Sequence, residues 1–348
     1  MLKKYKTIRN LSLFLSILSF LFVLTYSAWW LFLFIPALFV TILYSLCLTH
    51  LRKDLKNGSR IQVWEGGPRV GKTDTATTIA VCLARKQYKT ITSIVKRKWR
   101  KYKRIMDLIN RNQFCDDDQQ SFIYHYHECQ KTYSFYQKHP EYIPCLTSNV
   151  TILDDRQKSM PYDYDMVVCQ KPSLYGMVFN VSEAQSVFPV DSYLERGRSE
   201  ELSLLANFFE RIGHYIDGYF ILDSQDADNM NKDIKRLSPA IQKIHHSYGQ
   251  FFKLFGMRAF SCKETERVAE GEVVVRTDGD DGYRFHLLPC AIGKYNDRHL
   301  RKLYPSKDEI VKAVGVEDLI IDDNETNRKL YSRKIIKTSD SNRYRRSR

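Results

Sequence analysis

The sequence has no charged residue between positions 11 and 48, a run of 38 residues broken only by one proline and scattered hydroxyl groups. About 20 apolar residues are enough for a helix to cross a bilayer, so this run is long enough for two crossings. Residues 25–27, followed by Trp29 and Trp30, are typical of a polar turn with interfacial aromatic side chains. The absence of charge therefore predicts a transmembrane helical hairpin.

Basic residues flank this apolar run on both sides. They are Lys3, Lys4, Lys6 and Arg9 before it, and Arg52, Lys53, Lys56 and Arg60 after it. The positive-inside rule places both flanks in the cytoplasm, which predicts a multi-pass protein of the cytoplasmic membrane with two helices. A cleaved signal peptide does not fit, because the run is too long and no small-residue cleavage site precedes a polar start. One long tilted helix is the other alternative, and it would place the rest of the chain outside the cytoplasm.

The eight cysteines include no C-x-x-C pair and show no regular spacing. This absence, together with a cytoplasmic location, favours reduced thiols over disulfides. One cluster nevertheless brings four zinc-capable groups within fifteen residues: Cys115, His125, His127 and Cys129. Because His125 and His127 alternate with tyrosines, the same segment fits one face of a packed strand. Zinc binding and ordinary packing both stay open, with packing favoured.

Residues 66–73 read Gly-Gly-Pro-Arg-Val-Gly-Lys-Thr, a full match to the phosphate-binding loop G-x-x-x-x-G-K-[ST]. Residues 61–64 before it form a strand-like apolar run, and residues 72–85 carry an Ala/Ile/Leu stripe at helical spacing. In a strand, glycine turn and helix, the backbone N–H groups and the helix N-terminus face the phosphates. We therefore predict that the chain binds ATP with Mg²⁺.

The loop residues have separate predicted roles. Lys72 reaches the β- and γ-phosphates, and the Thr73 hydroxyl binds Mg²⁺. The glycines allow the backbone to approach the phosphates closely. The predicted nucleotide-binding residues are Gly66, Gly67, Pro68, Arg69, Val70, Gly71, Lys72, Thr73 and Asp74.

Two further apolar runs predict buried strands that end in polar residues. Residues 175–181 are followed by Ser182 and Glu183, and residues 219–223 by Ser224 and Gln225. A carboxylate at the carboxyl end of a strand beside the phosphate loop is placed to orient the attacking water. Glu183 is therefore the candidate catalytic residue. Gln225 is a second candidate, for sensing the γ-phosphate or holding water, and a plain loop-capping role is equally open.

The order of these runs predicts an α/β fold, a P-loop NTPase parallel sheet with helices on both faces. The membrane hairpin precedes it, and a small β-rich C-terminal region follows, with strand-like runs at 251–260, 272–276 and 283–288. The predicted domains are the hairpin with its basic flanks (1–60), the P-loop ATPase domain (61–250) with a basic and polar insertion at about 88–140, the β-rich region (251–325) and a basic disordered tail (326–348).

The formal net charge is +14, from 54 Lys and Arg against 40 Asp and Glu. Apart from the hairpin flanks, the excess is concentrated at residues 96–104, where aromatics are interleaved with cations, and at 333–348. This charge favours an anionic partner. Single-stranded DNA fits, because bases stack on aromatic rings while cations follow the phosphates. The lipids of the inner leaflet fit residues 96–104 equally well.

These motifs together resemble the zonula occludens toxin (Zot)-like ATPases, which are filamentous-phage assembly proteins related to the FtsK/HerA DNA pumps. The resemblance covers roughly residues 61 to 305. It is carried by the phosphate loop, Thr147-Ser148-Asn149-Val150, Ser182-Glu183-Ala184-Gln185-Ser186-Val187-Phe188-Pro189, the helix at 208–214, Ile221-Leu222-Asp223-Ser224-Gln225, and Tyr295-Asn296-Asp297 through Leu303-Tyr304, where Asp297 departs from the family's hydroxyl. It implies an ATPase that drives DNA extrusion or packaging in phage morphogenesis, as a homo-oligomer working with other membrane proteins.

Two further features depart from the family's pattern. Ser182 stands where the family carries the Asp that holds Mg²⁺ through water. Ser182 is therefore a predicted Mg²⁺ ligand, but a weak one, so either hydrolysis is slow or Asp223 compensates. The membrane segment precedes the ATPase domain, a layout that resembles conjugative coupling proteins. A conjugative or plasmid DNA-translocating ATPase is therefore the alternative, and a nucleotide-binding membrane scaffold with little hydrolysis is a third. Arg196, Arg198 and Arg211 are equal candidates for an arginine finger that acts on a neighbouring subunit's nucleotide.

Overall fold

The protein is described from a computed structural model, which covers residues 2–25, 31–57, 59–68, 70–111, 117–154, 157–162, 175–190, 198–238, 240–248, 251–267, 273–275 and 283–289. The helices are α1 (Leu2–Thr25), α2 (Leu31–Asn57), α3 (Lys72–Asn110), α4 (Asp117–Lys138), α5 (Ala184–Val187), α6 (Arg198–Glu210), α7 (Ile212–Tyr215), α8 (Lys232–Arg236) and α9 (Phe251–Leu254). The strands are β1 (Ile61–Gly66), β2 (Tyr142–Ser148), β3 (Leu153–Asp154), β4 (Gln157–Pro161), β5 (Val178–Val181), β6 (Tyr219–Ser224), β7 (Ala240–Tyr248), β8 (Met257–Arg267), β9 (Val273–Val275) and β10 (Tyr283–Pro289).

The strands of the described residues form one sheet, in the order β10-β8-β7-β1-β6-β5-β2-β4-β3, with β9 paired to β8. The pairs from β7 across to β4 are parallel, whereas β3, β8, β9 and β10 are joined by antiparallel pairing. The chain therefore has a mixed α/β fold with a mostly parallel sheet, as the sequence predicts. Strands β8 to β10, which fall in the predicted β-rich region, belong to this same sheet.

Most predicted strands are found with shifted ends. The run at 175–181 forms a strand only over Val178–Val181. The strand predicted over 251–260 is wrong in its first half. Residues Phe251–Leu254 are helix α9, and β8 begins after Gly256, which has a φ of 71° and donates its N–H to Lys253 O at 2.9 Å. This glycine turn separates two apolar pieces that read as one run in the sequence.

Helices cover both faces of the sheet, as predicted. Successive residues of a strand point to opposite faces, so Phe220 and Asp223 of β6 lie on different sides. The Phe220 ring stacks on Phe209 of α6 at a centroid distance of 3.7 Å. On the other side, Asp223 accepts a hydrogen bond from Thr73 in the first turn of α3. Helices α3 and α6 therefore pack on opposite faces of the same strand.

Helix α3 is much longer than the predicted 72–85 and extends to Asn110. Neither glycine nor proline occurs between Thr73 and Asn110, so nothing in the backbone chemistry stops the helix. The basic segment 96–104 lies on its second half, and α4 packs alongside, with the rings of Tyr88 and Tyr133 stacked at 6.2 Å. The predicted insertion at about 88–140 is therefore largely a pair of helices.

Helices α1 and α2 pack against each other in opposite directions. Thr41 Oγ1 donates to Ser12 Oγ at 2.9 Å, and the Phe20 and Phe34 rings lie 5.6 Å apart. By length and composition, one helix within the described ranges could cross a membrane, over Leu31–Leu55. The predicted turn at residues 25–30 lies almost entirely outside the described residues.

The base of this helix pair is held on the sheet by a hydrophobic group that we call the junction cluster. It consists of Tyr5, Leu43, Tyr44, Cys47, Leu48, Met257, Ala259 and Leu287. The hydroxyl of Tyr5 donates to Gly256 O, and that of Tyr44 donates to Phe255 O at 3.0 Å. The two N-terminal helices are therefore fixed to the start of β8.

Candidate nucleotide-binding site

The phosphate-loop motif connects the carboxyl end of β1 to the first residue of α3, as the sequence predicts. A Cβ on Gly66 would lie 2.7 Å from Val70 Cγ2 and 3.2 Å from Ile244 O, so a side chain has no room there. Gly71 has a φ of 91°, in the left-handed region that favours glycine. Gly71 O accepts the Thr75 N–H at 3.0 Å, which closes the first turn of α3. Gly67 and Pro68 are exposed, and Arg69 is outside the described residues.

Lys72 and Thr73 begin α3 at the carboxyl edge of the sheet. Lys72 is 6% exposed, which is unusual for a lysine outside an anion site or an ion pair. Thr73 Oγ1 donates to Asp223 Oδ1 at 3.1 Å and lies 3.5 Å from Ser182 Oγ. The two predicted Mg²⁺ ligands, Thr73 and Ser182, are therefore brought together, with Asp223 as a third oxygen donor beside them.

Asp223 is fully buried at the end of β6, between β1 and β5. Its Oδ1 accepts the Glu183 N–H at 3.2 Å, whereas its buried Oδ2 has no hydrogen-bond partner among the described residues. Burial raises the pKa of the Asp223 carboxyl, opposed by the Glu183 N–H, by the Ser182 and Thr73 hydroxyls and by the Lys72 ammonium. A buried carboxylate oxygen without a protein donor fits a hydrated Mg²⁺, which prefers oxygen ligands.

Asn149 holds the end of β5 in place. Its side-chain amide donates to Ser182 O at 2.8 Å, and its Oδ1 accepts the Ser182 N–H at 2.8 Å. A second amide, Asn180 Nδ2, donates to Ser148 Oγ at 3.1 Å across the neighbouring strands β5 and β2. These contacts join the end of β2 to the end of β5 and fix the strand end that carries Ser182 and Glu183.

Glu183 follows directly and adopts φ 48° and ψ 55°, a left-handed conformation that is costly for a residue with a side chain. This conformation turns the chain sharply into α5 and leaves Glu183 partly buried after the carboxyl end of β5, at the sheet edge where the phosphate loop also lies. In α5, Gln185 Oε1 accepts a hydrogen bond from Ser224 Oγ at 2.8 Å, which ties the turn to the end of β6. Gln225, the next residue, is exposed.

The other sequence candidates do not join this site. His125 and Cys129 lie on helix α4, so the strand interpretation of residues 124–127 is wrong. No metal-binding group of three or more His, Cys, Asp or Glu occurs in the described part of the chain, and Cys115 lies outside it. Arg211 is exposed before the amino end of β6, at the edge opposite the phosphate loop. Arg196 and the side chain of Arg198 are outside the described residues.

One residue at the site carries no motif and is missed by sequence reasoning. Arg258, the second residue of β8, has its Nε 3.0 Å from Asp74 Oδ2 in the first turn of α3. The two side chains are 14% and 4% exposed. A buried Arg in a strand that follows an apolar helix is a weak signal, and nothing in the sequence links it to a distant loop near the other end of the chain.

No family model matches this chain, and no curated protein matches it. Among solved structures, it is similar to the crystal structure of the N-terminal domain of zonular occludens toxin from Neisseria meningitidis, at 13% sequence identity and a TM-score of 0.30. The comparison covers 70% of this chain and 97% of that chain. This likeness is too distant to support a function, which has to be inferred from the chain's own residues.

Proposed function

We propose that this protein is a membrane-anchored P-loop ATPase of the Zot-like type that uses ATP hydrolysis to move DNA. One observation carries the ATPase part of the proposal. The loop residues Lys72 and Thr73 lie against an oxygen cluster, Ser182 and Asp223, at the carboxyl ends of the neighbouring strands. A phosphate loop beside a buried carboxylate is the arrangement that binds a nucleoside triphosphate with Mg²⁺.

The side chains have distinct roles in this proposal. Lys72 binds the β- and γ-phosphates together with the amides of the loop, and Thr73, Ser182 and Asp223 hold the metal directly or through water. Bound Mg²⁺ neutralises charge on the phosphates. Glu183 orients the attacking water, and Gln225 senses the γ-phosphate or holds that water. The left-handed backbone at Glu183 supports its role, because such strain is concentrated at functional sites.

We propose that Asp223 compensates for the serine at position 182. The register pairs Val181 with Leu222, so Ser182 and Asp223 are the next residues on adjacent strands. A carboxylate displaced sideways by one strand can face the same metal position that an Asp at 182 would face. Slow hydrolysis by a nucleotide-binding scaffold stays the rival proposal, because the serine itself is a weak metal ligand.

The exposed surface of the N-terminal helices supports membrane anchoring. Large apolar side chains are exposed along both helices, including Leu11, Phe14, Ile17 and Leu21 of α1 and Phe32, Ile35, Phe39 and Leu46 of α2. This exposed apolar surface continues onto Phe251 and onto Leu254, which is 81% exposed. The ring centroids of Phe251 and Phe39 lie 6.2 Å apart. An apolar surface of this length would be unfavourable in water, whereas lipid covers it at no such cost.

The topology prediction follows from the basic flanks. We expect residues 1–10 and 50–348 to share the cytoplasmic side, with the turn at 25–30 outside. A reporter enzyme that is active only outside the cytoplasm should be silent when fused after residue 60. The same reporter inserted at residues 26–30 should be active and serves as the control. Activity after residue 60 would contradict the two-helix arrangement.

The DNA part of the proposal is supported by charge on α3. A cavity of about 500 Å³ lies between the end of α2 and α3, and its lining includes Arg85, Lys86, Lys89 and Arg97, with no acidic residue among the described residues that line it. Such a group of cations favours the binding of a phosphate-bearing polymer. We propose that DNA, single-stranded rather than duplex, is the partner, and that the protein acts as a homo-oligomer beside other membrane proteins. Phage extrusion is our first choice, and conjugative transfer is the alternative.

Neutralising the basic segment should weaken DNA binding and reduce its salt dependence. Lys96, Arg97, Lys98 and Arg100 are changed together to Gln. For every phosphate that the protein then no longer neutralises, the slope of log K against log salt should fall by about 0.7 for single strands, or about 0.9 for duplex. Lys232→Gln with Arg236→Gln, which neutralises two exposed cations on α8, is the control, and the two effects are compared per charge removed. An unchanged slope with weaker binding to anionic vesicles would assign the segment to lipid instead.

A further inference from the structure

Arg258 lies directly against the phosphate loop. An ideal Cβ on Gly71 would be 1.3 Å from Arg258 Nη1 and 2.5 Å from its Cζ, so the guanidinium fills the space beside this glycine. Gly71 is also the position where a phosphate loop needs a bare backbone for close approach to the nucleotide. The side chain is therefore in reach of the phosphates that the loop is proposed to bind.

The packing of β8 fixes the position of Arg258 through its two neighbours in the strand. Strand residues alternate between faces, and both neighbours of Arg258, Met257 and Ala259, are fully buried in the junction cluster. Arg258 consequently points to the other face, towards the start of α3. Asp74 contacts its Nε edge and compensates the cost of burying its charge. This ion pair and the packing of β8 favour one orientation of the side chain before any nucleotide binds.

The chemistry of a guanidinium suits a polyphosphate. Its planar fork presents several N–H donors in fixed directions, and it binds phosphate oxygens through paired, charge-assisted hydrogen bonds. With Asp74 on the Nε edge, the Nη edge faces Gly71, on the side of the loop. A pre-oriented arginine loses little side-chain entropy on binding.

We propose that Arg258 is a phosphate-binding residue of the nucleotide site, supplied by the same chain, and that Asp74 positions it. This proposal rests on the proposed nucleotide binding. It gives Asp74 a role through Arg258 rather than through direct contact with the nucleotide. Arg258 also lies between Met257 and Ala259, two residues of the junction cluster, next to the base of the N-terminal helices.

The test is the affinity of the full chain in detergent for a fluorescent N-methylanthraniloyl derivative of ATP. We expect Arg258→Ala to weaken binding by roughly 10- to 100-fold, the effect of removing one or two charge-assisted hydrogen bonds. Arg258→Lys should recover part of this affinity, because the ammonium keeps the charge but not the fork. Lys263→Ala, on the same strand with its ammonium over the Tyr283 ring, should bind like the wild type.

A double variant separates phosphate binding from mere neutralisation of Asp74. If Arg258 only compensates the buried carboxylate, Arg258→Ala with Asp74→Ala will restore wild-type affinity, and the proposal is wrong. If it binds phosphate, the double variant stays weak while its thermal unfolding returns towards that of the wild type. Unchanged or tighter binding by folded Arg258→Ala would also overturn the proposal. A wild type that binds no nucleotide would refute the proposed function as well.

Discussion

Lys72→Ala should abolish productive nucleotide binding. The ammonium of Lys72 is the main protein charge that faces the β- and γ-phosphates, and the backbone amides of the loop cannot replace it. Removing one pre-oriented donor to a transition state typically costs about 10²–10³-fold in turnover. We expect at least this decrease in ATP hydrolysis, and no binding at concentrations that saturate the wild type. Equilibrium binding of the fluorescent ATP derivative and phosphate release are the two measurements.

Lys138→Ala is the matched control for this variant. Lys138 is an exposed lysine at the end of α4, so its removal changes the net charge equally without reaching the loop. Circular dichroism on both variants tests whether the fold is retained. Wild-type affinity in a folded Lys72→Ala variant would show that residues 66–73 are a turn without a nucleotide, and the ATPase assignment would then be wrong.

Glu183→Gln should leave nucleotide binding intact and slow hydrolysis by about 10²–10⁴-fold, the usual range for removal of a general base. The amide keeps the shape of the side chain but not the carboxylate that orients water. The variant should therefore trap ATP, with an affinity at or above that of the wild type. Its Mg²⁺ requirement should not change, because Thr73, Ser182 and Asp223 are untouched.

Glu210→Gln provides the comparison, since Glu210 is exposed at the end of α6. Single-turnover measurements on preformed complexes separate hydrolysis from product release in both variants. If Glu183→Gln hydrolyses ATP at the wild-type rate, Glu183 is only the residue that turns the chain into α5. Gln225→Ala would then be the next variant to examine.

The sequence predicts the parts of this molecule that depend on local pattern. The phosphate loop, β1 and β6 follow from apolar runs next to glycine or polar residues, and the structure places them as expected. Local pattern predicts the wrong element where a helix and a strand share the same alternation or the same apolar composition. Residues 251–260 read as one strand because the effect of Gly256 on the backbone is not visible in hydropathy. Residues 124–127 alternate like a strand but belong to α4.

The features of the site that the sequence does not predict depend on contacts between distant segments. The pairing of Ser182 with Asp223 depends on the register of β5 against β6, which no spacing in the chain reveals. Arg258 reaches Gly71 only because β8 joins the sheet beside β7, which in turn pairs with β1. Sequence reasoning could name Asp223 as a substitute for the missing acid, since it ends an apolar run. It could not find Arg258, because a single arginine after a glycine turn is common.

The central claim is that this site hydrolyses ATP, and steady-state phosphate release by the full chain tests it most directly. We expect repeated turnover that requires Mg²⁺, stops in excess chelator and rises when single-stranded DNA is added. Ser182→Asp should raise the rate or the apparent Mg²⁺ affinity, because it adds a carboxylate beside Thr73 and Asp223. If the wild type binds ATP without turnover and Ser182→Asp gains none, the protein is a nucleotide-binding scaffold and not an ATPase.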